Sequence, residues 1–297
     1  MYNCSIIIPH KNIPSLLQRC LDSIPIRDDL QIVIVDDNSD ASIVDFNNFP
    51  GSGRDNIEIV FSNGKTGKGP GYARNIGLSK AKGKWIIFAD ADDYFMDSFS
   101  ALLDKYQQSS KDVIFFKCVR QNEDGQINDY SLINDAINDA LINGNTDVIV
   151  YGVPCPVAKF IKHEFILQNK IKYQEITGGD DILFSMQIGV HLKELLIVDD
   201  YLYCVVDRTG SLTRNTNWRI FYSYSKACCD AYRMLQKVNK EKLAIGWIIS
   251  WWGRLWAESN LYAIALIPKI VTTVGIRKSY TVIRKGRLVG AWNWRYA

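Results

Sequence analysis

A chain of 297 residues that is 47% hydrophobic and 23% charged can bury a sizeable core, as one large domain or two small ones. Its net charge of +3 gives no reason to invoke nucleic acid, and its seven cysteines, odd in number and without a Cys-x-x-Cys spacing, exclude a disulfide framework or a zinc site. Reduced thiols in a cytosolic protein are the simple reading. The charge is uneven: residues 269–297 hold seven basic and no acidic side chains, which leaves the first 268 residues with a net charge of −4. A basic tail on a mildly acidic body suggests an anionic surface as a partner.

The opening "MYNCSIIIPHK" has no basic leader and only a short apolar run, so it reads as a first strand, "CSIIIP", and not as a signal peptide. "PSLLQRCLDSI" has helical spacing behind Pro14, "QIVIV" is a second strand ended by Asp36 and Asp37, and "IEIVF" is a third. "SNGKTGKGPGYARNIGLSKA" begins as a Gly-rich loop and becomes a helix after Pro70. "KWIIFA" is a fourth strand, "SALLDKYQQS" a helix and "DVIFFK" a fifth strand. Short, wholly apolar strands alternating with helices predict an α/β fold with a mostly parallel sheet covered on both faces. In such sheets ligands sit beyond the carboxyl ends of the strands, and those ends carry Pro9, Asp36 with Asp37, and Asp90 with Asp92.

After residue 120 the order loosens. "QNEDGQIND" reads as a polar loop, and "DVIVYGVPCPVAKF" as an extended segment because Pro154 and Pro156 bar a helix. "KHEFILQN" is a short helix, "GGDDILFSMQIGV" a loop feeding a helix with Asp180 and Asp181 in its first turn, and "LLIVDDYLYCVV" further strand. From about Asn217 the chain turns helical and reaches "LAIGWIISWWGRLWAESNLYAIALIP", which holds four of the eight tryptophans. Its uncharged runs are about half the ~20 residues of a membrane span, so it is expected to lie in a membrane interface or to be buried.

"FADADDYF" drives an apolar strand into Asp90, Asp92 and Asp93. Like charges this close repel, and a divalent ion held by Asp90 and Asp92, magnesium or manganese with substrate phosphates, would reward the arrangement; the competing reading is a capped helix start. A phosphatase-type Asp-x-Asp belongs at the first strand, and this one follows the fourth. Asp36 and Asp37 suit a ribose or base, or an Asx turn. Lys65 and Lys68 in the Gly-rich loop, with Arg74 in the helix after it, offer cations suited to a diphosphate without matching the P-loop pattern, though either lysine singly reads as part of a solvated loop. Arg74 can pair with a rim aspartate as easily as with phosphate. Asp180 and Asp181 offer a general base or merely a helix cap. His10, His163 and His191 are scattered and read as structural.

The ordered set "SIIIPHKN", "VDDNSD", "GYARNIGLSKAKGKWIIFADADD", "AKFIKHEFILQNKIKYQEITGGDDILF" and "GSLT" resembles the family 2 glycosyltransferases of the GT-A fold over roughly residues 3–213. The resemblance implies a Rossmann-like fold that takes a nucleotide-diphosphate-sugar donor and a divalent metal (Mn2+ or Mg2+), usually with inversion at the anomeric carbon. It places Pro9, Asp36 and Asp37 at the nucleotide-sugar site, Arg74 with Asn75 in the "ARN" element behind that donor site, and Asp90 near ribose and sugar. Asp92 falls on the metal with Asp90 beside it, and Arg208 and Ser211 come close to the diphosphate with help from Lys68. Asp181 matches the catalytic base, with Asp180 and Lys159 on the acceptor side. His10, Asp180 in place of the usual Glu, and Pro154-Cys155-Pro156 in place of a Trp-containing stretch depart from the family pattern.

The expected domains are a transferase domain over 1–215, with a donor half to 120 and an acceptor half after it, and a helical, Trp-rich, basic extension over 216–297. The expected activity is transfer of a sugar, on family frequency from a UDP donor, to a glycan or lipid-linked oligosaccharide in cell-surface polysaccharide synthesis. A cytoplasmic location follows, with "WIISWWGRLW", Trp292 and Trp294 suited to docking at the inner membrane face. A homo-oligomer is left open. The competing functions are a nucleotidyltransferase making sugar nucleotides, against which the absence of a Gly-rich arginine loop in "IIIPHKNIPS" counts, and a non-catalytic sugar-nucleotide-binding subunit.

Overall fold

A computed structural model describes residues 2–62, 68–209 and 217–291 of the chain. Its centre is a nine-stranded mixed sheet. β1 (Cys4–His10) lies between β2 (Leu30–Asp36) and β4 (Trp85–Phe88), with β3 (Ile57–Phe61) outside β2, all parallel. The connections are α1 (Pro14–Asp22) and α2 (Pro70–Lys80), each opening on a proline whose missing N–H would have had no partner there. Isoleucine and valine make β1 and β2 almost wholly buried, as a sheet covered on both faces requires.

The second half of the sheet reverses one strand. β8 (Lys159–Lys162) is antiparallel to both β4 and β6 (Val113–Gln121). β6 therefore runs with β4, and β9 (Leu195–Val206) runs parallel to β6. The carboxyl ends of β1, β2, β4, β6 and β9 consequently share one rim, and the amino end of β8 joins them. Two short strands complete the sheet. β5 (Tyr94–Phe95) pairs with β9, and β7 (Ile127–Asp129) pairs with β6.

The remaining helices are α3 (Phe99–Tyr106), α4 (Ser131–Asn143), α5 (His163–Gln168) and α6 (Asp180–His191), followed by α7 (Trp218–Leu235), α8 (Lys242–Glu258), α9 (Asn260–Val274) and α10 (Ile276–Ala291). One apolar core surrounds the sheet. A second joins Ile182, Leu183 and Met186 of α6 to α7, α8, α9 and α10. Trp252 of α8 is fully buried there and its indole N–H donates to the Ala263 carbonyl at 2.9 Å. Gly286 of α10 allows this packing, since a Cβ there would stand 2.6 Å from the Trp252 ring. Of the two expectations for α8, burial describes Trp252, while Trp247, Trp251 and Trp256 are partly exposed. Among the described residues no helix is long and apolar enough to cross a membrane.

Two local expectations need correction. Val148–Gly152 is a single π-helical turn and not extended chain; Pro154 lies beyond its end, so the proline rule does not reach it, and burial of Ile149 and Val150 holds the turn. The polar stretch read as loop contains β7, and α4 follows it, carrying Asn134 whose side chain pairs with both backbone groups of Cys118. All seven cysteines are unpaired. Trp252→Ala should cost about 3–5 kcal/mol in chemical denaturation; a loss below about 1 kcal/mol would show that the second core does not stabilise the fold.

Candidate active site

The rim gathers the acids, and the protein gives each its own partner. At the end of β1, the His10 ring accepts the Ile13 N–H on Nε2 at 3.2 Å, which leaves Nδ1 protonated to donate to Asp36 at 2.8 Å. Ser39 adds its N–H and hydroxyl to the same carboxylate. Burial opposes charge on Asp36, yet the His10 and Ser39 hydrogen bonds outweigh it and hold the carboxyl below its ordinary value. Asp37 accepts the backbone N–H groups of Lys68 at 2.9 Å and Gly69 at 2.8 Å. It thereby fixes the entry to α2, while the Lys68 amine lies 4.3 Å from the Tyr72 ring. Pro9 sits in register with Val35.

Arg74 of α2 is the centre of the site. It is 5% exposed, and its guanidinium donates to Asp90 Oδ1 at 2.6 Å and to Asp180 Oδ2 at 2.8 Å. The close approach of α2 to α6 needs Gly71, where a Cβ would lie 2.2 Å from the Gln174 carbonyl and 2.8 Å from Asp180 Cβ. Asn75 clamps the same crossing by pairing with both backbone groups of Tyr173.

The Asp90–Asp93 turn is closed by its own backbone bond at 3.1 Å and pinned between β4 and β5. The Asp90 N–H donates to the Tyr203 hydroxyl at 2.8 Å. Asp92 Oδ2 accepts from Arg208 Nε at 2.6 Å, and Arg19 donates to the Asp92 carbonyl. Asp93 is buried and takes the Val206 N–H at 2.8 Å. Burial first, then Asp90 and Asp92, push its carboxyl well above the ordinary range. A cleft of about 400 Å³ opens beside Arg208, with Leu16, Arg19, Gln121 and Val206 among its walls.

Asp180 and Asp181 begin α6 after Gly179, whose φ of +80° favours glycine. Asp180 is committed to Arg74. Asp181 is not: its Oδ1 is buried without a hydrogen-bond partner. Burial, with the Asp180 charge second, pushes it up to about 7 against the pull of Arg74. Lys159, at the amino end of β8, donates to the Cys155 carbonyl and faces the Phe115 ring at 5.4 Å. Burial lowers its pKa, and it stands close enough to Asp181 to feel that charge.

Among the described residues no group of three or more His, Cys, Asp or Glu is arranged to enclose a metal. Magnesium or manganese completed by substrate phosphates needs only one or two carboxylates. Asp92, with 19% of its side chain exposed beside Arg208, would fit that requirement on exchanging Arg208 for the ion. Asp90, held by Arg74, has 36% of its side chain exposed.

The structure thus brings Pro9, Asp36, Asp37, Lys68, Arg74, Asp90, Asp92, Lys159, Asp180, Asp181 and Arg208 to one rim. Ser211 and Lys65 lie outside the described residues. Sequence reasoning passed over Arg19 and Tyr203 and gave Asp93 no role of its own. The spacing of Asp93 within "DADD" was the one available signal, since a third acid that close must be neutralised or hydrogen-bonded.

The family model described as glycosyl transferase family 2 matches residues 5–165. The chain belongs to that family. It is 30% identical over 216 residues to a poly(ribitol-phosphate) beta-glucosyltransferase of Bacillus spizizenii, covering 69% of this chain and 32% of the relative. It is 24% identical over 214 residues to the poly(ribitol-phosphate) beta-N-acetylglucosaminyltransferase TarS of Staphylococcus aureus, covering 68% and 35%. The chain therefore spans about a third of the length of these relatives. The crystal structure of TarS residues 1–349 with UDP-GlcNAc superposes with a TM-score of 0.65 at 18% identity, over 99% of this chain and 90% of that one. The mannosyltransferase PcManGT of Pyrobaculum calidifontis, solved with GDP-Man and Mn2+, gives 0.57 at 16% identity, over 98% and 88%. The fold is the GT-A glycosyltransferase architecture.

Arg74→Ala leaves two carboxylates facing each other without their cation and should destabilise the protein by about 3–5 kcal/mol in urea denaturation. A change under about 1 kcal/mol would show that the ion pairs are not formed.

Proposed function

We propose that this chain is an inverting glycosyltransferase moving a sugar from a UDP-sugar to a hydroxyl of a glycan or lipid-linked oligosaccharide in cell-surface polysaccharide synthesis. One observation carries the reading. A single buried guanidinium ties Asp90, at the Asp-x-Asp turn, to Asp180, the neighbour of an unpartnered carboxylate at Asp181. The relatives named for poly(ribitol-phosphate) and the TarS complex with UDP-GlcNAc support the donor and acceptor class.

In the proposed reaction the acceptor oxygen attacks the anomeric carbon, the bond from that carbon to the diphosphate oxygen breaks, and its electron pair leaves with the diphosphate. Asp181 takes the acceptor proton. A carboxylate titrating near 7 suits this task. Arg208, helped by Lys68, would face the growing charge on the leaving group. Asp90 would orient ribose and sugar, and Asp37 would keep the Lys68–Gly69 backbone at the nucleotide. Lys159 and Asp180 would shape the acceptor side. A manganese or magnesium ion, if held by Asp92 and Asp90, would supply further charge neutralisation at the diphosphate.

We assign residues 1–215 to the transferase domain and 216–297 to an extension that docks at an anionic membrane surface, at the cytoplasmic face. Its support is α10. The outward side of this helix carries Ile276, Tyr280 and Leu288, 79%, 69% and 60% exposed, interleaved with exposed Arg277, Arg284 and Lys285. A basic amphipathic surface of this kind binds anionic lipid.

Asp181→Asn should keep donor binding and lose about 10²- to 10⁴-fold in transfer. For the native chain the rate should rise with pH through a midpoint near 7, because the neutral acid below it cannot accept a proton. Wild-type turnover by the Asn variant would refute the base. The native chain should sediment with phosphatidylglycerol vesicles and not with phosphatidylcholine ones, and R277E/R284E/K285E should remain in the supernatant. Equal sedimentation of the two proteins would refute docking through α10.

A further inference from the structure

The mechanism above leaves the aromatic groups of α7 and α8 unused, yet they reach the turn that carries the base. Gly178 and Gly179 precede Asp180, and both lie against one ring. A Cβ at 178 would stand 2.9 Å from Tyr224 Cε2, and one at 179 would stand 2.9 Å from Tyr224 Cδ1. The neighbouring Ser223 hydroxyl donates to the Gly178 carbonyl at 2.9 Å. Behind the turn, the Tyr224 ring stacks on Trp251 with centroids 3.9 Å apart and planes at 11°, and the Arg254 guanidinium lies 4.6 Å from the Trp251 ring. Burial, then the charges of Asp181 and Asp180, push the Tyr224 phenol upward.

We propose that Tyr224 is a positioning residue for Asp181: its ring, braced by Trp251, holds the two-glycine turn in the one arrangement that aims the carboxylate into the acceptor site. The inference rests on the assignment of Asp181 as the base. Its physical basis is that glycine places few restraints on a turn, so the turn's conformation is fixed from outside. Here the fixing surface is aromatic and rigid. Ile182, Leu183 and Met186 anchor the helix itself in the second core, so loss of the ring frees the turn without releasing α6. A carboxylate displaced by about 1 Å loses on the order of 10²-fold in rate, while donor binding, made at the β2 and β4 ends of the rim, is untouched. The helices after residue 217 therefore act on the chemistry as well as on stability.

The test compares Tyr224→Ala, Tyr224→Phe, Trp251→Leu and Asp181→Asn with the native chain. It measures UDP-sugar affinity by calorimetry and transfer by single-turnover kinetics. Tyr224→Ala should bind donor within about twofold of the native chain and transfer at least about tenfold more slowly. Tyr224→Phe, which keeps the ring, should restore the rate to within about threefold. Trp251→Leu leaves the turn and Tyr224 in place and removes only the brace, so it serves if Tyr224→Ala does not fold; it should lose rate with donor affinity kept. Native-like transfer by folded Tyr224→Ala or by Trp251→Leu, beside an inactive Asp181→Asn, overturns the inference and spares the base. So does a Phe variant as slow as the Ala one. Transfer by Asp181→Asn at the native rate overturns the base assignment itself.

Discussion

A buried guanidinium held between two carboxylates is the constraint on which this structure turns. Arg74 gives up hydration to stand between Asp90 and Asp180, and its two short charge-assisted hydrogen bonds, with the Tyr173 ring 5.3 Å away, offset that loss. Asp90 belongs to the turn after β4 and Asp180 to the first turn of α6, elements far apart in sequence. The pair of bonds sets how the Asp-x-Asp turn stands relative to the proposed base. Gly71 makes the arrangement possible, because any side chain there would hold α2 away from α6.

The same economy governs the rest of the rim. A row of aspartates at the ends of parallel strands is expensive unless each is neutralised or hydrogen-bonded. His10 and Ser39 serve Asp36, backbone amides serve Asp37 and Asp93, and Arg208 serves Asp92. Asp181 alone keeps a buried oxygen without a partner among these acids. The contrast separates the carboxylates that hold the site together from the one proposed to exchange a proton.

The strands of the first half were legible because burial on both faces makes them nearly continuous apolar runs, and the acids at their ends follow from chain direction alone. The direction of β8 was not legible. Its four residues, Lys159–Lys162, carry no periodic signal, and its reversal depends on which neighbours it finds. The partner of each acid was equally hidden. His10 reaches Asp36 only because β1 and β2 pair with those residues in register. The π turn at Val148–Gly152 was misread because two prolines beyond it dominated the local pattern. Tyr224 lies in a helix whose sequence signal is amphipathic burial; nothing local announces that its ring meets Gly178 and Gly179. These are tertiary facts, and propensity does not carry them.

The most direct test of the central constraint is a double-mutant cycle between Asp90→Asn and Asp180→Asn, read by urea denaturation in the native chain and again with Arg74 replaced by Met. Two carboxylates sharing one cation should couple by about 0.5–3 kcal/mol, and the coupling should change once the guanidinium is gone and the two charges face each other directly. Additive effects in the native chain, or a coupling unchanged by the Arg74 replacement, would contradict the account.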